Sequence, residues 1–316
     1  MVQYDPRADI VFRKIFGEHK HLCMSLLNSL LPLSDEQKIV SLEYLPSDVL
    51  PLSVNGKNSI VDVRCKDKDG RTFIVEMQMY WTEAFLMRTL LNASKAFASQ
   101  ADKGTGFKDL QPVYSLCLLN ESMPKAKEYK DEYRHLFIIC HENHKELTID
   151  GMKFVFVELL KFHSLNKGHN KLMELWLSFL TMLQDNTDGI VPEYLTKDKN
   201  VAEAVEIVQD LKLTPEERAH YEKFWDEVSC ERTLLSERFD NGVKEGLEKG
   251  EKIGLEKGEK IGLEKGEKIG LVKGEQIGLE KGRRKEKEEM ARNLKAMGVD
   301  LTTIAKASGL SKIQNL

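Results

Sequence analysis

Residues 59–78 read Ser59-Ile-Val-Asp62-Val-Arg-Cys-Lys-Asp-Lys-Asp69-Gly-Arg-Thr-Phe-Ile-Val-Glu76-Met-Gln78. Apolar and polar residues alternate on both sides of an Asp-Gly pair, the pattern of two strands joined by a tight turn. A loop centred on Asp69 sets Asp62 opposite Glu76, because the two are equally far from it. Gln78 then shares their face, since strand side chains repeat every two residues. Val61, Val63, Phe73, Val75 and Met77 are expected on the other face, in apolar packing. Two carboxylates on one face repel each other unless a cation lies between them. A hard divalent ion with oxygen ligands suits such a pair.

Working outward, the chain of 316 residues is long enough for one large domain or two ordinary ones. At 41% hydrophobic it can build a core, and its net charge of −4 gives no global support for binding nucleic acid. Any basic surface must therefore be local. Cys23, Cys65, Cys117, Cys140 and Cys230 are scattered, with no C-x-x-C pair. A reducing, cytoplasmic setting is expected, with no signal segment and no membrane span. The His19/His21 and His141/His144 pairs lack the cysteine partners of a zinc site. Neither a Gly-x-Ser-x-Gly elbow nor a P-loop occurs.

Apolar spacing predicts a helix over 8–31, stopped by Pro32, and loops at Pro46, Pro51 and Asn55-Gly56. A second helix follows the hairpin at 82–100. The near-continuous apolar run 113–119 reads as a buried strand, with two more strands near 136–140 and 154–159. This order describes an α/β fold with a mixed sheet flanked by helices. Helices are expected over 172–183 and 201–213. Another starts at Thr214-Pro-Glu-Glu217, a capping box, and is expected to end near Phe239.

From Gly246 the octad Gly-Leu-Glu-Lys-Gly-Glu-Lys-Ile repeats, and glycine recurs every fourth residue from Gly242 to Gly282, eleven times. Eleven glycines cost a helix about 10 kcal/mol relative to alanine. Glu–Lys pairs four apart return only about 0.2–0.5 kcal/mol each. A period of four also drifts about 40° per step around a 3.6-residue helix, so no apolar seam persists. A solvated helix or tether, marginal alone, is expected over 242–282. In the tail, Met290, Leu294 and Met297 are expected on one side of a helix ending at Gly298. Asp300 is expected to cap the next helix, Gly309 to close it, and a third to begin at Ser311. Too few residues follow Ser311 for a full DNA-reading helix, so packing or assembly is the favoured role. The division expected is a core at 1–165, a helical extension at 166–241, a spacer at 242–282 and a small helical tail at 283–316.

Several pieces together resemble the recombination-promoting nuclease and transposase family of the PD-(D/E)XK superfamily. They are Asp9-Ile-Val-Phe-Arg-Lys-Ile-Phe-Gly17, Ile60-Val-Asp-Val-Arg64, Asp69-Gly70, Val75-Glu-Met-Gln78, Pro112-Val-Tyr-Ser-Leu-Cys-Leu-Leu119 and Val157-Glu-Leu-Leu-Lys-Phe162. They occur in the family's order over about residues 5–165. The resemblance implies a restriction-endonuclease-like α/β fold with a helical extension and a Gly/Glu/Lys-repeat tail. Val61 stands where the superfamily's name implies Pro. Gln78 replaces the superfamily's Lys, and Glu-x-Gln is usual for this family.

The activity implied is metal-dependent hydrolysis of DNA phosphodiester bonds, promoting recombination. Asp62, Glu76 and the Met77 carbonyl would hold Mg²⁺ or another divalent cation, and Gln78 would position the attacking water. Asp9 would add a carboxylate, and Lys14 or Arg88 would supply the cation that Gln78 lacks. DNA is the implied partner, with a homo-oligomer through the C-terminal tail as a further expectation. The rival reading is a catalytically decayed DNA-binding or assembly protein of a mobile-element system. Read without chemistry, the hairpin is an exposed strand face on which Arg64 pairs across strands with Glu76 or with neighbours of Thr72.

Overall fold

The computed structural model describes residues 4–49, 59–101, 105–126, 128–165, 171–183 and 190–310. The expected loops at Pro51 and Asn55-Gly56 and the helix start at Ser311 lie outside the described residues. Two compact units are present, Met1–Leu234 and Leu235–Leu316.

The first unit is built on a six-stranded mixed sheet. Its strands are β1 (Leu42–Tyr44), β4 (Val63–Asp67), β5 (Thr72–Gln78), β6 (Val113–Leu119), β7 (Arg134–Cys140) and β8 (Thr148–Glu158). They lie in the order β1-β4-β5-β6-β8-β7, and β2 (Asp48–Val49) and β3 (Ser59–Ile60) pair separately. β1, β4 and β5 pair antiparallel, β5–β6 and β6–β8 parallel, and β7–β8 antiparallel. Both faces of β6 are covered, so all seven of its residues are buried and the run lacks alternation.

On one face lie α1 (Asp9–Phe16), α2 (Lys20–Leu30), α5 (Leu172–Thr181) and α6 (Lys199–Asp210), with α4 (Leu159–Leu165) following β8. Their Phe12, Phe16, Trp176 and Phe179 share one core with Phe73, Val75 and Leu116. The other face carries α3 (Glu83–Ala98), packed on Ile74, Val113 and Phe156 through Ala93, Ala96 and Phe85. Thr82 caps α3 by accepting the Phe85 N–H. The start of α7 (Pro215–Ala296) adds Tyr221, Phe224 and Trp225 to the larger core.

Several expectations are corrected. The helix foreseen over 8–31 is two helices, because Gly17 ends α1. A side chain there would put a Cβ 2.6 Å from the Arg13 carbonyl oxygen. Val61 does not share a face with Val63. The chain bends at Asp62, breaking the alternation, and Val61 packs with Ile74 beneath α3.

In the second unit α7 does not stop near Phe239 but runs through the octads to Ala296. The repeat is solvent-exposed along its length, and nothing lies within 4 Å of the space a Cβ would take at its glycines. Glycine raises the cost of a helix without blocking it sterically, so the backbone can continue. Gly298, at φ +80°, follows the end of the helix. α8 (Leu301–Ser308) starts at Asp300, whose carboxylate accepts the Thr302 and Thr303 N–H groups, and closes at Gly309. Ala291 and Ile304, not Met290 and Met297, make the small tail core, because both methionines turn to solvent. No helix among the described residues is long and apolar enough to cross a membrane.

Candidate functional site

The β4–β5 turn fixes the register of the hairpin beside which the two carboxylates lie. Asp67 accepts the Asp69 and Arg71 N–H groups on one oxygen and the Arg71 guanidinium on the other. Gly70 takes φ +86°, a conformation glycine adopts without steric cost. Val63 then pairs with Val75 as the last pair of the ladder, and Asp62 lies at the bend just beyond it, beside Met77.

Asp62 sits at the bend before β4. Its Oδ2 accepts the Met77 N–H at 2.6 Å, and its Oδ1 lies 3.6 Å from Arg13 Nη2. A residue's N–H and C=O project to the same side of its strand. The Met77 carbonyl therefore opens on the Asp62 side. Glu76 is buried. Its Oε1 accepts the Asn92 amide at 3.2 Å, and its Oε2 lies 3.7 Å from Arg88 Nη2. The same Arg88 nitrogen donates to Gln78 Oε1 at 2.9 Å, while Gln78 Nε2 donates to the Tyr80 carbonyl. Arg88 also lies 5.2 Å over the Phe85 ring, which helps fix its stem.

Electrostatics follow from burial. Desolvation pushes the Glu76 carboxyl up to about 7, against the pull of Arg88 and Asn92, and the Asp62 charge adds to the rise. Asp62 is raised as well, chiefly by burial, with Asp9 adding repulsion and Met77 and Arg13 opposing it. Both carboxyls are raised even with Arg13 and Arg88 beside them, so ionising both calls for further positive charge.

The structure thus gathers Asp62, Glu76, Gln78, Met77 and Arg88. Asp9 stands at the margin, where its carboxylate accepts the Ile10 N–H and meets His220 Nε2 at 2.9 Å. It lines a cavity of about 290 Å³ with Ile10, Arg13, Lys14, Glu18, Glu217 and His220. Lys14 is held by Glu217 at 2.7 Å, so Arg88 is the expected cation that meets Gln78. Among the described residues no ion pair joins Arg64 to Glu76, and the Arg64 Nε is buried without a hydrogen-bond partner. Arg13, Asn92 and His220 were not foreseen. Arg13 stands four residues after Asp9, and Asn92 four after Arg88. That spacing places each on its neighbour's helix face and was the available signal.

No cluster of three or more His, Cys, Asp or Glu residues suited to a metal occurs among the described residues. Two carboxylates with a main-chain carbonyl form a sparse, all-oxygen set. Such a set fits a magnesium-like ion, which keeps several waters and takes only one or two carboxylates.

No curated protein and no solved structure matches the chain. A family profile, that of the PD-(D/E)XK nuclease family transposases, matches residues 6–231. That span holds the whole sheet, both carboxylates and the helices that buttress them. On that coverage the chain belongs to the PD-(D/E)XK nuclease family transposases.

Proposed function

We propose that the protein is a metal-dependent DNA endonuclease whose cuts promote recombination, using Mg²⁺ or a similar divalent cation. The observation that carries this reading is the pair of charge-disfavoured carboxylates, the buried Glu76 and the part-buried Asp62, beside a main-chain carbonyl. Membership of a nuclease family supports phosphodiester hydrolysis with DNA as substrate.

Asp62 Oδ1, Glu76 Oε2 and the Met77 carbonyl oxygen are the atoms assigned to the cation. A divalent cation bound there would polarise a phosphate and lower the pKa of a bound water. Gln78 Oε1 keeps a lone pair beyond its bond to Arg88 and can accept from the attacking water. Arg88 supplies the positive charge missing at Gln78 and is assigned to the scissile phosphate. Asp9 has a supporting role, raising the demand for positive charge near Asp62. In this reading the 1–165 core does the chemistry with the 166–241 extension against it, in a cytoplasmic setting. Residues 242–282 act as a spacer and 283–316 as a small helical tail.

The test is conversion of supercoiled plasmid by the purified full chain, with Mg²⁺ or with chelator. Cleavage that needs the metal and vanishes in Asp62→Ala is the expected result. Absence of metal-dependent cleavage with Mg²⁺, Mn²⁺ and Ca²⁺ alike would leave the binding or assembly reading instead.

A further inference from the structure

Among the described residues β7 closes one edge of the sheet and pairs on one side only, with β8. Four consecutive residues, Leu136, Phe137, Ile138 and Ile139, are each 40–47% exposed. Nearby Leu147 and Ile149 are 58% and 68% exposed. Free edges are usually guarded by lysine, proline or a covering element. The run 136–139 has neither lysine nor proline.

The backbone shows which groups are free. The Glu158 N–H donates to the Tyr133 carbonyl, and the register continues Arg134–Val157, His135–Phe156. Antiparallel pairs alternate, so Tyr133, His135 and Phe137 bond to β8 while Arg134, Leu136 and Ile138 face outward. Beyond the irregularity at Ile138/Ile139, the His141 N–H donates to the Leu147 carbonyl, which leaves Cys140 facing outward too. The outward residues 134, 136, 138 and 140 are symmetric about Phe137.

We propose that this edge is the interface with a second copy of the chain. Two β7 strands pair antiparallel about a twofold axis at Phe137, with Leu136 opposite Ile138 of the partner subunit and Arg134 opposite its Cys140. A self-complementary edge is what an isologous dimer requires. Taking roughly 200 Å² per large apolar side chain, the six exposed residues offer about 600 Å² per copy. Two copies would bury at most about 1,200 Å² of side-chain surface, which reaches the lower bound for a stable interface. The run carries no charge to attract phosphate, so DNA is a poor occupant. The dimer is independent of the nuclease reading and does not use the C-terminal tail.

Sedimentation of the full chain over a range of concentrations, paired with amide exchange of the 134–140 segment, tests this. A concentration-dependent dimer is expected, and exchange at Arg134, Leu136, Ile138 and Cys140 should slow by roughly tenfold or more when it forms. The double variant Leu136→Lys, Ile138→Lys should be a monomer with the wild-type melting temperature. Ile304→Asp, which breaks the tail core, should stay dimeric. A wild-type monomer throughout, a dimer without new protection at β7, or a dimer lost in Ile304→Asp alone would overturn the proposal. If the lysine variant fails to fold, the dilution-dependent exchange of the wild-type chain decides the matter. Protection of the edge in a monomeric particle would mean that a segment of the chain itself covers it, and would equally refute the dimer.

Discussion

The β4–β5 hairpin and the octad helix are both periodic, but the period does different physical work in each. In the hairpin the period of two matches the pleat, and helices cover both faces of the sheet. Each inward residue is therefore committed, and one of them, Glu76, is a buried carboxylate. In the octads the period of four misses the helical repeat, so glycine, leucine and isoleucine wind around the helix and stay exposed. A repeat specifies packing only when its period matches the backbone and a partner surface receives it. Substitutions should therefore be costly in the hairpin and cheap in the octads.

The largest expected effect is on catalysis. Asp62→Ala removes an oxygen ligand assigned to the cation and should lower metal-dependent cleavage by about 10³-fold or more. Circular dichroism should show the fold intact. Undiminished cleavage by the variant would detach the hairpin from the chemistry.

Next comes the charge on Glu76. Its folded pKa of about 7 exceeds its ordinary value of 4.5. Between those values the folded state keeps a proton that the unfolded state releases, so stability falls as pH rises through that window. Glu76→Gln keeps an acceptor for Asn92 and removes the titration. With chelator present, the variant should match wild type near pH 4 and exceed it above pH 8 by up to about 3 kcal/mol. Urea unfolding across pH measures this, and equal curves at both ends would show that burial does not govern Glu76. In the wild-type enzyme, cleavage at limiting Mg²⁺ should rise with pH toward and through about 7, as Glu76 loses its proton.

Arg88→Ala should cost about 10–100-fold in kcat, and Arg88→Lys should recover part of it, because the charge matters more than the fork. No rescue by lysine would assign Arg88 to orienting Gln78 alone. The smallest effect belongs to the octads. Gly258→Ala meets open space and should strengthen the helix by about 1 kcal/mol without changing cleavage. A large loss in either quantity would mean that the exposed repeat packs on something.

How much was legible follows from the range of each signal. The Asp69-Gly70 turn and the alternation around it are local, so they suffice for the hairpin and its register from Val63 to Val75. The near-continuous apolar run at 113–119 likewise marked the buried central strand. Packing between distant elements sets Arg88 rather than Lys14 on Gln78, and brings Asn92 and Arg13 to the two carboxylates. Only in the tertiary structure does Val61 cross to the α3 face and α7 continue past Phe239. Local periodicity fixes which residues share a face. How a helix is rotated on a sheet, where a bend reverses a face and which edge stays uncovered depend on contacts between residues distant in sequence, and short-range patterns do not encode them.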